Sequence, residues 1–321
     1  MKDKIVDILT KYVEVFGFIS VNEYLEKRHL LNLKDRYDDE TLFRPYKTII
    51  TLGIAYPSKE IKWLGKGYGV LSRYSYNIDY HIVFKNILDI IVKEFSELGI
   101  NSFGSVDTSF VDERYAAYLS GIGYLGKNQF LINKAYGSYL YLATILVDIP
   151  IKKDYIEYDS CLDCRLCIDA CPSHALDNGF DSNKCISNLT QEKKVFTENE
   201  IKNIKTMIYG CDICQKVCPK NDGIDFHIHE EFEPSGIENV NISKLLEYSN
   251  KEYKEIYGKN ASSWKGVTIL KRNALCLIAN QGLTEYLDKV IKSINDYKNV
   301  SWYKETASKV IKILLKKKEK V

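Results

Sequence analysis

The cysteines are the residues of this chain whose type and spacing most clearly indicate chemistry. Eight of the nine cysteines lie between Cys161 and Cys218, and the ninth, Cys276, stands alone. Inside a reducing cell, such clustering indicates metal binding rather than disulfide formation. We interpret the isolated Cys276 as a small buried hydrophobic residue.

The first group of cysteines has the spacing of a bacterial ferredoxin. It reads C-x2-C-x2-C-x3-C-P and ends at Pro172. In this pattern three thiolates bind one four-iron–four-sulfur cluster and the fourth binds its neighbour. The second group, C-x2-C-x3-C-P, ends at Pro219 and lacks one cysteine, for which Cys185 is the remaining candidate nearby. The count predicts two [4Fe-4S] clusters, one held by Cys161, Cys164, Cys167 and Cys218, the other by Cys171, Cys185, Cys211 and Cys214.

A pair of structural zinc sites is the alternative interpretation of these cysteines, because zinc also takes four thiolates at C-x2-C spacings. The two C-x3-C-P endings match the iron–sulfur pattern, and no zinc-ribbon spacing accounts for them. We therefore favour clusters. Two linked clusters form a short path for electrons, so we expect the N-terminal half to hold the group that accepts them.

Four further residues are candidates for chemistry outside the cysteines. Asp107 follows a short predicted strand, where a carboxylate acts either as a helix N-cap or as an acid. Lys127 follows three glycines, whose backbone allows either close approach to a large flat ligand or a plain surface turn. Arg73 and His81 lie where a loop enters a helix, so they either line a substrate pocket or cap that helix.

Helical and alternating apolar patterns predict an α+β fold that positions these residues. We expect three domains, at 1–150, 151–224 and 225–321. The expected elements are an amphipathic helix at 3–16, a buried strand at 47–57, a loop at 58–77, a helix at 80–98, a strand at 101–107, a helix at 112–120, a glycine-rich turn at 121–128, a strand at 136–149, and helices without strands from 242 onward.

Charge and hydropathy limit the partners. The net charge of +2 argues against a protein held to nucleic acid by its overall field. From Ser235 onward, however, the sequence contains 17 basic and 9 acidic residues. This excess of positive charge predicts either a local polyanion contact or a solvated lysine-rich helix end. No apolar run approaches the ~18–20 residues of a membrane span, and the first residues lack the apolar core of a signal peptide. We expect a cytoplasmic protein without membrane contact.

Several segments resemble the epoxyqueuosine reductases, the cobalamin-dependent iron–sulfur enzymes of queuosine synthesis. The most specific feature is the order VDT, ER and GIGYLGKN followed by the ferredoxin pattern. Phe110 and Asn188 depart from the proline and tyrosine common in the family, and the helical C-terminal region is short. Besides the cysteine region, the similar segments are Arg73–His81, Val106–Asn133, Gly137–Asp148 and Lys271–Asn280.

The resemblance implies a nitroreductase-like cobalamin-binding domain, a ferredoxin-like two-cluster module and C-terminal HEAT-like helices. It implies two-electron reduction of epoxyqueuosine in tRNA, with electrons supplied by a flavodoxin or ferredoxin to a monomer. The cobalamin would be base-off, since Asp79-x-His81 and Asp225-x-His227 lack the glycine of the DxHxxG pattern. A reductive dehalogenase-like corrinoid enzyme and a ferredoxin-type electron carrier are the alternatives.

The resemblance also implies roles for individual residues. Asp107 would donate a proton to the leaving oxygen, and its pKa would be raised by burial beside the corrin. Arg73 and His81 would lie near the substrate. The implied cobalamin contacts are Asp107, Lys127, Asn128, Gln129, Phe130, Leu131, Ser138, Tyr139, Thr190 and Asp212.

Overall fold

The structure, a computed structural model, describes residues 1–30, 39–107, 109–154 and 159–319. Within them the α-helices are α1 Lys2–Leu9, α2 Val21–Leu30, α3 Tyr80–Glu97, α4 Glu113–Ser120, α5 Leu166–Asp169, α6 Ile186–Leu189, α7 Glu198–Asn203, α8 Ile213–Lys216, α9 Ile242–Glu247, α10 Asn250–Tyr257, α11 Val267–Gln281, α12 Leu287–Asp296 and α13 Ser301–Lys318. The strands are β1 Val15–Ser20, β2 Thr48–Ala55, β3 Tyr68–Leu71, β4 Ser102–Ser105, β5 Tyr124–Leu125, β6 Leu131–Ile132, β7 Leu140–Val147, β8 Met207–Tyr209 and β9 Asn239–Asn241. The mixture of helices and strands confirms the predicted α+β class.

The chain divides into two compact units, and each unit is assembled from separate stretches of sequence. The three consecutive domains expected from the sequence, and their nitroreductase-like and HEAT-like character, stay predictions. Unit 1 contains Met1–Ser58, Tyr80–Arg165 and Cys218–Glu231, and unit 2 contains Lys59–Asp79, Leu166–Val217 and Phe232–Val321.

A four-stranded antiparallel sheet in the order β1-β2-β7-β4 forms the centre of unit 1. Strand β2 is buried along its whole length, as its β-branched sequence TIITLGIA predicts. Helix α4 packs on one face, where a Cβ on Gly17 would meet the Ser120 carbonyl oxygen at 2.5 Å. Helix α3 packs on the other face, where Leu88 lies against Gly104. The sheet therefore carries helices on both sides.

Unit 2 has a small three-stranded sheet, β8-β3-β9, and a helical core. Helix α11 is the centre of that core, since its residues from Val267 to Ala279 are almost all buried, and it packs against α7, α9, α13 and β8. Cys276 is 0% exposed there, which confirms it as a buried hydrophobic residue. Among the described residues from Ile242 to Glu319 every regular element is a helix, as expected.

Two of the predicted elements are wrong. The helix expected at 3–16 ends at Leu9, because Val15–Ser20 pairs with β2 as strand β1, and this pairing outweighs the helical spacing of the apolar residues. The loop expected at 58–77 contains strand β3, because Tyr68–Leu71 pairs with both β8 and β9. The strand at 47–57 and the helix at 80–98 are confirmed within one or two residues.

None of the described helices is both long enough and apolar enough to cross a membrane.

Candidate functional site

Asp107 is the centre of a polar cluster in unit 1. It follows strand β4, and the start of helix α3 brings His81 to it, with His81 Nε2 3.1 Å from Asp107 Oδ2. The hydroxyl of Tyr80 donates to the same carboxylate oxygen. Asp107 has a φ of +56°, a left-handed conformation that costs energy for a non-glycine residue. Its side chain remains 46% exposed, so the carboxylate is held in place and still accessible.

The interpretation of Asp107 as a helix N-cap is wrong. Asp112 caps helix α4, since its carboxylate accepts from the backbone N–H of Tyr115 at 2.9 Å. Glu113, the first residue of α4, instead accepts from the backbone N–H of Asp107 at 2.6 Å. The helix end therefore holds the Asp107 loop through Glu113, and the Asp107 side chain is left for other contacts.

The pKa of Asp107 is not raised, contrary to the sequence-based expectation. Burial opposes its ionisation, but the hydrogen bonds from His81 and Tyr80 outweigh burial and lower the pKa of Asp107. The neighbouring carboxyl takes the opposite shift: burial, and then the charge of Asp107, raise the pKa of Glu113 to about 9. At neutral pH this pair of carboxyl groups therefore keeps one proton, and Glu113 carries it.

A row of aromatic rings supports the cluster. Tyr80 stacks on Tyr141 with the ring centroids 4.5 Å apart, and Tyr141 in turn lies 4.4 Å from the ring of Tyr56. The ring of His81 lies 4.2 Å from that of Tyr80. These contacts fix the orientation of the two side chains that bind Asp107.

The glycine-rich segment is a short hairpin of β5 and β6, not a free turn. A Cβ on Gly123 would meet the backbone carbonyl oxygen of Ile132 at 2.3 Å, so packing within the hairpin requires glycine at that position. Lys127 contacts the first cysteine loop: its backbone N–H donates to Cys161 Sγ at 3.4 Å, and its Nζ donates to the carbonyls of Leu162 and Cys164. The structure therefore places Lys127 beside a predicted cluster ligand.

The other residues expected near cobalamin in unit 1 have varied surroundings. Asn128 is buried and its Oδ1 accepts from Phe130 N at 3.2 Å, while Leu131 packs into a core cluster. Gln129 is exposed at φ +66°. Ser138 Oγ accepts from Asn221 Nδ2 at 2.9 Å, in the segment that follows Cys218.

Tyr139 is buried in the same part of unit 1, where its ring packs 5.6 Å from that of Tyr56.

The cysteines of unit 1 lie together. After burial, the neighbouring thiols of Cys161 and Cys164 are the main groups that raise the pKa of Cys218, which places these three predicted ligands of one cluster near each other. Cys167, the fourth predicted ligand of that cluster, belongs to unit 2.

Unit 2 brings together all four predicted ligands of the other cluster. Burial raises the pKa of Cys211 to about 12, and Cys185 and Cys171 contribute through their charge. Burial raises the pKa of Cys214 well above its usual value, and the charges of Cys211, Cys185, Cys167 and Cys171 contribute. Such thiols bind as thiolates only when iron compensates their charge. The donor set fits an iron–sulfur cluster.

Thr190 and Asp212, the expected cobalamin contacts of unit 2, flank these cysteines in the sequence and are buried. Thr190 Oγ1 accepts from the Gly210 N–H at 2.9 Å. Asp212 Oδ2 accepts from the backbone N–H of Arg73 at 3.2 Å, and Arg73 also pairs with Glu60 at 3.6 Å. Arg73 and His81 thus lie in different units. Arg73 contacts the carboxylate of Glu60, and His81 contacts that of Asp107.

The sequence analysis did not identify two buried polar residues of helix α11, Arg272 and Asn273, which hold neighbouring backbone segments in place. Both are completely buried, and Arg272 lies 3.7 Å from the ring centroid of Phe196. Two adjacent polar residues inside the apolar segment KRNALCLIAN were the signal that could have revealed them. Their side chains donate to backbone carbonyls of the segment that joins the predicted cluster ligands Cys185 and Cys211, those of Leu189, Thr190, Glu192, Lys194 and Ile208.

Comparisons with known proteins support the iron–sulfur interpretation of the clustered cysteines. Residues 160–221, which contain all eight clustered cysteines, match a family described as a 4Fe-4S double cluster binding domain. The chain is therefore an iron–sulfur protein with two clusters. Residues 36–112 match a second family, described as Epoxyqueuosine reductase QueG, DUF1730.

Similar proteins extend the match over most of the chain. An epoxyqueuosine reductase of Bacillus anthracis is 37% identical over 78% of this chain and 68% of its own length. The solved structure of epoxyqueuosine reductase from Streptococcus thermophilus has a TM-score of 0.87 and 32% identity, covering 98% of this chain and 90% of that one. An epoxyqueuosine reductase crystallised with an epoxyqueuosine-modified tRNA stem loop has a TM-score of 0.82 and 29% identity, covering 98% of both chains. The chain belongs to the epoxyqueuosine reductase family and is an oxidoreductase.

Proposed function

We propose that this protein reduces the epoxide of epoxyqueuosine in tRNA to the alkene of queuosine. The observation that carries the proposal is the Asp107 carboxylate, accessible and yet fixed by His81 and Tyr80, in a chain that also has a double-cluster segment. The reaction consumes two electrons and two protons: both carbon–oxygen bonds of the epoxide break, a carbon–carbon double bond forms, and the oxygen leaves as water. A proton donor and a source of single electrons are therefore both required.

Asp107 is the proposed proton donor. Its own pKa is lowered, so the proton it delivers must come from the groups bonded to it. The raised pKa of Glu113 keeps its carboxyl protonated at neutral pH, and this carboxyl hydrogen-bonds to the carboxylate of Asp107, which makes Glu113 the reservoir. We infer that Asp107 passes a proton drawn from this pair to the leaving oxygen, while His81 and Tyr80 hold its orientation.

The eight cysteines in their two predicted sets would hold the clusters, which supply electrons one at a time. Cobalamin, when bound base-off, would supply low-valent cobalt as the reductant of the epoxide carbon. The accessibility of Asp107 fits a large ligand beside it. The proposed contacts in unit 1 are Asp107, Lys127, Asn128, Gln129, Phe130, Leu131, Ser138 and Tyr139, and those in unit 2 are Thr190 and Asp212.

Substrate binding and electron supply complete the proposal. Arg73 and His81 would contact the modified nucleoside. The protein would act as a monomer in the cytoplasm, where its tRNA substrate is found. A flavodoxin or ferredoxin would reduce the clusters. One relative was crystallised with an epoxyqueuosine-modified tRNA stem loop, which supports a tRNA substrate here.

The test is anaerobic reconstitution of the full chain with iron, sulfide and cobalamin, followed by reaction with an epoxyqueuosine-containing tRNA stem loop and a chemical reductant. We expect queuosine in mass spectra of the digested RNA, and no conversion when cobalamin is left out. Electron transfer to other acceptors without conversion of the RNA would instead identify a ferredoxin-type carrier. Release of halide from an organohalide, with no conversion of the RNA, would identify a dehalogenase-like enzyme.

The lysine-rich end of α13 is the proposed RNA contact. Lys316, Lys317 and Lys318 are all exposed, but Lys317 also donates from Nζ to the Ala279 carbonyl at 2.9 Å and helps to hold the end of α11. We expect Lys316→Glu with Lys318→Glu to weaken tRNA binding and to lower its salt dependence, because each phosphate contact releases condensed counterions, with a slope of roughly 0.7–0.9 per contact.

The measurement is tRNA affinity over a series of salt concentrations. Turnover at saturating RNA should change little. Lys4→Glu with Lys85→Glu makes the same change in net charge on two exposed lysines of unit 1 and is the control. Equal affinities for the α13 variant and the wild type would identify the lysine-rich end as a solvated helix terminus.

A further inference from the structure

A loop in unit 2, residues 59–67, carries exposed groups that the proposed reaction does not use. Its three lysines are exposed, and no carboxylate of the described residues forms an ion pair with any of them: Lys59, Lys62 and Lys66. Between these lysines lie two large apolar residues, Trp63, which is 41% exposed, and Leu64, which is 59% exposed. We call this segment the Trp63 loop. It combines positive charge with an exposed aromatic ring.

Hydrogen bonds within unit 2 hold the Trp63 loop in place. The indole N–H of Trp63 donates to the Tyr68 carbonyl at 3.1 Å. Asn239 of β9 holds the backbone on both sides of the ring: its Nδ2 donates to the Lys62 carbonyl at 3.0 Å, and its Oδ1 accepts from the Leu64 N–H at 3.2 Å. The exposed ring therefore has a fixed orientation, so a ligand that stacks on it loses little affinity to ordering of the loop.

The net charge of the Trp63 loop is positive, because its single acidic residue, Glu60, is compensated within unit 2. One carboxylate oxygen of Glu60 pairs with Lys216, and the other lies 3.6 Å from Arg73 Nη2. The three loop lysines therefore remain available for an anionic ligand. The contact with Arg73 also joins the loop to a residue that we propose as a contact of the modified nucleoside.

A fixed aromatic ring among lysines is an arrangement that binds single-stranded nucleic acid. The lysines neutralise phosphates, and an unpaired base of any identity can stack on the ring. An acidic protein surface would also complement the lysines, but the position of Arg73 beside the loop favours the RNA substrate.

We propose that the Trp63 loop binds unpaired nucleotides of the tRNA substrate, with Trp63 stacked on a base close to the modified nucleoside and the loop lysines on the adjoining phosphates. The inference rests on the proposed function, because it takes RNA as the substrate. It adds a second RNA contact, distant in sequence from the lysine-rich end of α13.

The test is the affinity of the reconstituted full chain for a synthetic tRNA anticodon stem loop, measured without reductant over a series of salt concentrations. Trp63→Ala should weaken binding about tenfold, the loss expected for one base–aromatic stack, and should leave the salt dependence unchanged. Trp63→Phe keeps a ring for stacking and should retain most of the affinity. Replacing Lys59, Lys62 and Lys66 by Gln should instead lower the salt slope by roughly 2, since each phosphate contact on a single strand contributes about 0.7.

Trp264→Ala is the matched control. Trp264 is another exposed tryptophan of unit 2, but Lys265 Nζ lies over its ring, 3.7 Å from the centroid, so we expect wild-type affinity from this variant. A fully paired RNA duplex is the second control, because it offers no unpaired base to Trp63, and Trp63→Ala should bind it as the wild type does.

Wild-type affinity of Trp63→Ala for the stem loop would overturn the proposal, and so would an equal loss of affinity for the duplex. Slower reduction of the clusters by a flavodoxin in Trp63→Ala, with unchanged RNA affinity, would assign the loop to the electron donor instead. A stem loop that binds through Trp63 but is not converted after a reductant is added would contradict the proposed reaction and leave this RNA contact in place. The two failures are therefore distinguishable.

Discussion

Replacing Asp107 by Asn should slow single-turnover conversion of epoxyqueuosine by about 10²–10⁴-fold, the usual contribution of a general acid. Asn retains an oxygen that accepts from His81 and Tyr80, and it tolerates the left-handed φ of +56° better than most residues. The fold, the iron content and the cobalamin affinity should therefore survive. Only delivery of the proton should be lost.

Asp112→Asn is the matched control for this substitution. It makes the same chemical change at the residue that caps α4, and Asn caps helices as well as Asp does. We expect wild-type rates from this variant. Rates near those of the wild type in Asp107→Asn, with unchanged cobalamin spectra, would remove Asp107 from the mechanism and leave it a role only in holding His81 and Tyr80.

The dependence of the rate on pH distinguishes Asp107 from its proton reservoir. The rate of the wild type should fall as the pH passes about 9, where Glu113 loses its proton. Glu113→Gln keeps an acceptor for the Asp107 N–H but cannot supply a proton, so it should be slower and should lack that alkaline limb.

Glu113 should also make stability depend on pH. Its pKa is raised from the ordinary 4.5 to about 9 in the folded protein, so the folded state binds this proton more tightly than the unfolded state. The contribution of the neutral carboxyl is complete below pH 4.5 and is lost as the pH rises towards 9. The melting temperature of Glu113→Gln minus that of the wild type should therefore be larger at about pH 8.5 than at about pH 6.

The cysteine spacing and the strongest local patterns were sufficient to predict much of this protein. The ferredoxin pattern is set by local sequence, because three of the four predicted ligands of the first cluster come from one short loop. Strand β2 and helix α3 were predictable for a similar reason, since their apolar patterns are long and uninterrupted.

The partners of Asp107 were not predictable in the same way. Tyr80 lies 27 residues before Asp107 in the sequence, and only the packing of α3 against β4 brings the two together. The direction of the Asp107 pKa was wrong because the hydrogen bonds of His81 and Tyr80 outweigh burial, and no single-residue pattern contains that balance. The prediction for the segment that forms strand β1 was wrong for the corresponding reason, since its pairing partner β2 is remote in sequence.

The assignment of Cys185 to a cluster can be tested by comparing two cysteines of opposite character. Cys185→Ser should lower the iron content of the reconstituted protein from about eight to about four, or convert one cluster to a three-iron form, because that cluster loses one of four thiolates. Cys185 precedes α6 in unit 2, and the nearby thiol of Cys171 contributes, after burial, to its raised pKa. Iron and sulfide analysis with paramagnetic resonance measures the loss.

Cys276→Ser is the control, and its effect should be on stability alone. Cys276 lies completely buried in α11, so a serine hydroxyl there costs about 1–3 kcal/mol of unfolding free energy while about eight irons remain. The two variants thus separate metal binding from packing: the Cys185 variant loses iron, and the Cys276 variant loses melting temperature. Equal iron losses in both would mean that the fourth ligand is misassigned, and two zinc ions per chain without visible charge-transfer absorption would exclude iron–sulfur clusters altogether.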